Sequence, residues 1–225
     1  MTGAGLFAVE ARHQNKSART RARLMDAAVE VFARDGFEAA SVNEIARMAE
    51  VANGTFYVHF RDKDAIAAEV AARIAADTAD QIDRAMAGMD DALDRFAFAT
   101  RQFIAFASSQ PLWGWVLIRA ASFLPRMHRQ MESHMSADLR RGRRQGLITV
   151  EIDAFLLDTI VSMIFAALAA RLRGDAGPEA GSRVTELILT MLQVPADRAH
   201  AVAWRDIVLK DLNLPTRPKA DRTAR

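Results

Sequence analysis

Along most of the chain apolar side chains return every three or four residues, the period of an α-helix with one buried stripe. Leu24, Ala27, Ala28, Val31 and Phe32 fall on such a stripe behind Thr20, which can cap a helix, and Asp35-Gly36 supplies a stop. Ser41-Val-Asn-Glu44 reads as a capping box ahead of Ile45 and Ala46, so a second, short helix begins there. A turn separates it from Asn53-Gly-Thr-Phe-Tyr-Val-His-Phe60, where Phe56 and Phe60 share one face and Thr55, Tyr57 and His59 are available to the other. Asp62 can cap a long fourth helix carrying Ile66, Val70 and Ile74 and reaching Gly88. Beyond it the pattern predicts helices near residues 90–109, 111–121, 125–145, 152–173, 179–193 and 196–212, broken at Pro111, Pro125, Gly146, the Gly174 to Pro178 loop and Pro195.

No stretch alternates apolar and polar residues as a half-buried strand would, so the fold class is all-α. The expected organisation is a basic, flexible arm over 1–16, a small three-helix domain over 17–64, a larger helical domain over 65–214 and a flexible tail over 215–225. With 225 residues, 51% of them hydrophobic, the chain can bury a sizeable core. The lack of cysteine excludes a disulfide, a thiolate zinc site and a cysteine nucleophile, and fits a cytoplasmic protein. The N-terminus has no secretory apolar core, and the longest apolar stretch, Ala154 to Ala170, contains Asp158 and falls short of the roughly 20 residues of a membrane span. No membrane partner is expected.

A net charge of +2 does not by itself point to a polyanion, so the placement of the charges matters more. From Ala11 to Met25 there is no acid, and Arg12, Lys16, Arg19, Arg21 and Arg23 form a run that phosphates would attract, although such runs are commonly just solvated surface. Two short helices joined by a tight turn and framed by longer ones are the helix-turn-helix arrangement, whose second helix enters the DNA major groove. The residues themselves resemble the TetR family of bacterial regulators: Ala27-Ala28, Phe32, Gly36-Phe37, Ser41-Val-Asn-Glu-Ile-Ala46, Val51, Gly54-Thr-Phe-Tyr57, Phe60 and Lys63. The resemblance implies an N-terminal DNA-binding domain and a larger ligand-binding and dimerisation domain.

It also implies roles for single residues. Ser41 would offer its hydroxyl and nearby N–H groups to a phosphate, Gly54 would allow close approach, Thr55 and Tyr57 would supply phosphate-contacting hydroxyls, and Lys63 would add a cation. Base reading would fall to Asn43, Asn53, Val58 and His59. Two positions depart from the family pattern: Glu50 stands where a turn glycine is usual, and Ala52 where a capping serine is usual.

In the larger domain the helix near 152–171 is apolar around much of its circumference and should pair with the helix near 184–192 and with a second copy, giving an intersubunit four-helix bundle. Aromatic residues concentrate between Phe96 and Met127, and candidate ligand-pocket residues are Phe103, Phe106, Trp113, Trp115, Arg119, Phe123, Met127 and, further on, Phe165. Ordinary core packing is the plainer reading of each. His128 and Glu132, and His134 and Asp138, sit four apart but have no second ligand cluster, so no metal and no cofactor are expected. The glycines near Gly3 follow no strand and make no dinucleotide site, and an enzyme is not expected. A helical scaffold would leave Gly54 to Phe60 unexplained. The reading that remains is a homodimeric, sequence-specific DNA-binding transcriptional regulator, a repressor released from operator DNA by a small apolar effector; a ligand-independent regulator or an activator with the same fold is the alternative.

Overall fold

The computed structural model describes residues 7–8, 11–121 and 125–212, with the backbone alone at 112, 119–121 and 125–133. Its elements are α1 (Lys16–Ala39), α2 (Val42–Met48), α3 (Asn53–His59), α4 (Lys63–Ala85), α5 (Ala92–Ser109), α6 (Pro111–Ala121), α7 (Pro125–Arg144), α8 (Ala154–Arg173), α9 (Ala180–Met191) and α10 (Ala196–Ala203). No strand occurs among the described residues, in agreement with the apolar periodicity.

Helix α1 begins before Thr20. Asn15 is its cap and accepts from the Ala18 N–H at 2.9 Å, while the Thr20 hydroxyl donates back to the Lys16 carbonyl inside the helix. The expected stop at Gly36 is a kink with φ 78°, a backbone state open to glycine, after which the chain makes one more turn to Ala39. The described part of the arm expected to be flexible is docked: Phe7 and Ala11 are buried, and the N–H groups of Phe7 and Ala8 donate to the Asp26 carboxylate at 3.0 and 2.9 Å. A carboxylate that collects two backbone N–H groups beside a buried ring orders the segment.

The described chain divides into two compact units within α4, between Ile74 and Ala75. In the first, Leu24, Ala28, Val31, Phe32, Ile45, Phe56 and Ile66 are completely buried. In the second, α5 packs against α7, α8 and α9, over a core that includes Leu93, Leu117, Leu139, Ile160, Leu168 and Ile188. The helix expected over 196–212 ends at Ala203. Residues 206–212 are non-helical because buried Gln102 takes the Lys210 backbone instead, donating to its carbonyl at 2.9 Å and accepting from its N–H at 2.7 Å.

Helix α8 has an Asp153 cap and a left-handed Gly174 terminus, and it runs past Ala170 to Arg173. At that length it is long and apolar enough to cross a membrane, contrary to the estimate from the shorter stretch, yet only 33% of its apolar window is buried within the chain. Phe155 on α8 is 79% exposed and Leu187 on α9 is 61% exposed. Ile164, by contrast, faces the interior.

At Gly114 helices α6 and α8 come close: a Cβ there would stand 2.7 Å from the Ala107 carbonyl oxygen and 2.7 Å from a Leu172 methyl carbon. Gly114→Ala is therefore expected to cost about 1–3 kcal/mol of stability by overpacking. A thermal melt checks it, and an unchanged midpoint would contradict the close approach.

Candidate nucleic-acid interface and ligand cavity

Ser41 caps α2 and accepts from the Glu44 N–H at 3.2 Å. The reciprocal half of the capping box is not made. The Glu44 carboxylate accepts instead from Arg47 at 2.6 and 3.1 Å and from Arg34 at 2.8 Å. Those contacts, Arg47 foremost and then Arg34, hold Glu44 down to about 2.

The turn after α2 requires a left-handed residue, and Glu50 adopts φ 53° there. Arg23 steadies it: a guanidinium N–H donates to the Ala49 carbonyl, the same nitrogen lies 3.3 Å from the Glu50 carbonyl, and the Glu50 carboxylate is 3.7 Å away. Ala52 gives no side-chain cap to α3, as its chemistry dictates. The helix is held by Phe56 and Phe60, whose rings lie 5.8 Å apart and are both buried.

With that face inward, the rest of α3 turns to solvent. Tyr57 is 56% and Val58 78% exposed, Asn53 and Gly54 are exposed, and Thr55 and His59 are half-buried. Ser41 and Asn43 are exposed on the same unit. A Cβ on Gly54 would meet nothing within 4 Å, so the fold makes no demand for glycine there, although glycine in a helix costs about 0.5–1 kcal/mol relative to alanine.

Lys63 is placed differently from the phosphate contact that the resemblance implies. Its ammonium donates to the carbonyls of Phe37 at 2.8 Å, Ala40 at 2.9 Å and Glu38 at 3.3 Å, and sits 4.6 Å from the Phe37 ring centre. It thus satisfies the open carbonyls at the end of α1, and a phosphate would have to displace them. Arg21, also part of the basic run, is paired with Glu69 and stacks on Phe60, its guanidinium carbon 4.6 Å from the ring centre. Arg12, Lys16 and Arg19 remain exposed without a partner among the described residues.

The second unit contains a cavity with about 80 Å³ of space open to water-sized molecules. Ala75, Ala79, Ile82 and Asp83 of α4 and Met86 just after it line it, with Phe96, Ala99, Thr100 and Phe103 of α5, His134, Met135 and Asp138 of α7 and Ile164 of α8. Of the expected pocket residues Phe103 is there. Phe165 stands behind it, edge-on with ring centres 6.0 Å apart. Phe106 and Trp113 are core residues off the cavity and Trp115 is 42% exposed: Phe106 lies a turn beyond Phe103 toward the end of α5, and the two tryptophans stand on α6, which contributes nothing to the described lining. The Arg119 and Met127 side chains and Phe123 lie outside the described residues. The α4 and α7 walls escaped the sequence reading, since small and charged residues on long helices carry no mark of a pocket.

At the polar edge Arg95, nearly buried, donates to Asp138 at 2.5 Å, to Asp83 at 2.8 Å and to the Met86 carbonyl at 3.2 Å. His134 lies 3.4 Å from Asp80. His134 and Asp138 therefore have separate partners, and among the described residues no group of three or more His, Asp or Glu is placed to hold a metal ion.

Residues 24–70 match the family described as "Bacterial regulatory proteins, tetR family", and residues 91–205, about half of the chain, match "Tetracyclin repressor-like, C-terminal domain". The chain belongs to the TetR family. Among relatives, it is 27% identical over 216 residues to the A-factor receptor protein of Streptomyces griseus, covering 93% of this chain and 75% of that protein. It is 35% identical over 69 residues to the uncharacterized HTH-type transcriptional regulator YvdT of Bacillus subtilis, a match spanning 31% of this chain and 36% of YvdT. The structure of RolR in complex with resorcinol superposes with a TM-score of 0.75 at 23% identity, over 86% of this chain and 97% of that one. FadR from Bacillus subtilis in complex with stearoyl-CoA gives 0.58 at 20% identity, over 77% and 97%. At such identities these two establish the TetR architecture of both units and nothing finer.

In this TetR chain the Glu44 cluster ties α1 to α2, and its pH dependence has a definite sign. A carboxyl held below its unfolded value contributes stability that is complete above about 4.5 and is lost as pH falls toward about 2. Glu44→Gln is expected to flatten the acid limb of a thermal-stability profile in that window, modestly and less at high salt because the cluster is exposed. An acid limb identical to that of the parent protein would show that the pairs contribute nothing.

Proposed function

We propose that this TetR protein is a homodimeric, sequence-specific DNA-binding transcriptional regulator of the bacterial cytoplasm, a repressor whose hold on operator DNA is weakened when a small molecule occupies the second unit. Residues 17–64 would form the DNA-binding domain and 65–214 the effector and dimerisation domain. The observation that carries the reading is the outward face of α3, with Asn53, Gly54, Tyr57 and Val58 exposed around a glycine that the fold does not need. A duplex needs such a face: a narrow approach at Gly54, a hydroxyl at Tyr57 or Thr55 for phosphate, amide groups at Asn53 and Asn43 for adenine edges, and Val58 or His59 for the remaining contacts. Ser41 and the α2 N-terminus add a phosphate contact.

Dimerisation is supported by the apolar surface that α8 and α9 leave open, at Phe155 and Leu187. Pairing of two such faces makes a four-helix bundle and sets two copies of α3 on a two-fold axis, as a near-palindromic site requires. Helix α4 contributes Ile66 to the core of the first unit and Ala75, Ala79, Ile82 and Asp83 to the cavity wall, so an occupant of the cavity touches the helix that continues into the DNA-binding unit. A hundredfold loss of operator affinity needs about 2.7 kcal/mol of coupling.

Binding to selected DNA fragments tests the reading, with competitor DNA and a salt series. Asn53→Ala is expected to change sequence preference, by about 1–3 kcal/mol if its base contact is bidentate. Lys63→Ala is expected to lower the melting temperature while leaving the salt slope of binding unaltered, because its ammonium serves α1 and not the phosphates. No preference over random DNA would refute sequence-specific binding, and a reduced salt slope in Lys63→Ala would return that residue to the phosphate contacts.

For the dimer, Leu187→Asp is expected to give a folded monomer in light scattering at micromolar concentration. Ile164→Asp, which buries an unpaired charge within the subunit, is expected to unfold the second unit. A monomeric parent protein would exclude the bundle.

A further inference from the structure

The polar groups of the cavity are arranged in an order that selects its occupant. Asp83 on α4 and Asp138 on α7 both line the space, and Arg95 does not. The guanidinium stands behind them, bonded to one oxygen of each carboxylate and to the Met86 carbonyl. The second oxygen of each carboxylate has no hydrogen bond among the described residues.

Thr100 is the third polar group of the cavity wall. It is 4% exposed, it lines the same cavity, and its hydroxyl has no hydrogen-bond partner among the described residues. The hydroxyls of Thr159, Thr185 and Thr190 all donate to the carbonyl four residues back, whereas that of Thr100 does not. Among the described residues no side-chain oxygen or nitrogen is at once sealed off and unbonded, so the Thr100 hydroxyl opens on free space, and the cavity is the space it lines. Apart from the His134 imidazole, the rest of the described lining is Ala, Ile, Met and Phe.

A ligand carboxylate or phosphate would meet carboxylate oxygens before it met any cation of the described lining, and like charges repel. A ligand O–H or N–H would find unfilled acceptors, and its apolar body would fill the remainder. Space of about 80 Å³ accommodates a single ring. We propose that the effector is a small, non-anionic, largely apolar molecule with at least one hydrogen-bond donor, of the class of one-ring phenols and alcohols, which donates to the free oxygens of Asp83 or Asp138 and pairs with Thr100. This rests on the reading that the second unit holds the effector.

Calorimetric titration of the full chain with phenol, toluene and benzoate tests it. Phenol is expected to bind at least tenfold more tightly than the other two. Thr100→Val, which keeps the shape and removes the hydroxyl, should weaken phenol at least threefold and leave toluene unchanged, and Asp83→Asn, at a half-exposed position, should improve benzoate. The proposal is overturned if benzoate or toluene equals phenol, if Thr100→Val weakens all three alike, or if none of them binds. Release of bound DNA is read separately by fluorescence anisotropy. Selective phenol binding without release would uphold the ligand class and refute the effector role, and benzoate binding with release would do the reverse.

Discussion

Helix α3 is seven residues long and has no side-chain cap, so its backbone alone would not keep it helical in water. What holds it is the burial of Phe56 and Phe60 against the first unit, worth about 1.5–3 kcal/mol for each large apolar side chain. Because neighbouring residues on a helix are rotated by about 100°, burying Phe56 turns Gly54 and Val58 to the opposite side and Tyr57 to the flank, while Asn53 is exposed at the first position of the helix. The exposed surface is thus a consequence of the buried one. Arg23, reaching from α1 to the turn before α3, and Lys63, reaching from α4 to the end of α1, hold the backbone around this arrangement.

The same contacts redistribute the charges of the N-terminal unit. Arg21 and Arg23 belong to an acid-free run, yet one is paired with Glu69 and the other serves the turn. Lys63 serves three carbonyls. The cations of that run that are exposed and have no partner among the described residues are Arg12, Lys16 and Arg19, ahead of and in the first turn of α1. Sequence charge counts treat every arginine alike, whereas a guanidinium that fills carbonyl or carboxylate partners inside the fold attracts phosphate far less.

In the second unit alanine-rich helices do two things at once. Small side chains on α4 and α5 let helices approach but leave space between Ile82, Met86, Phe96 and Phe103, which is the cavity. Helix α8 buries Ile160, Ile164 and Leu168 against its own chain and leaves Phe155 outside, so its apolar circumference satisfies one partner internally and calls for another.

From the sequence alone came the all-α class, the helix-turn-helix, the TetR family and the outline of the described helices up to α9, because apolar periodicity, caps and Pro and Gly breaks are local signals. On α3 the sequence reading puts Thr55, Tyr57 and His59 on the outer face; Tyr57 is exposed there, but Thr55 and His59 are half-buried and Gly54 and Val58 lie opposite Phe56. The departure at Glu50 is visible in the sequence, but not that Arg23 would steady that turn from α1. Only the tertiary structure decided that Lys63 ends α1, that Gln102 holds 206–212 out of a helix, that Ile164 faces inward, and that the cavity lies between α4, α5, α7 and α8 with Arg95 behind its acids. Each of these is a contact between residues far apart in the chain, and no periodicity within a helix records which partner will face it across the core.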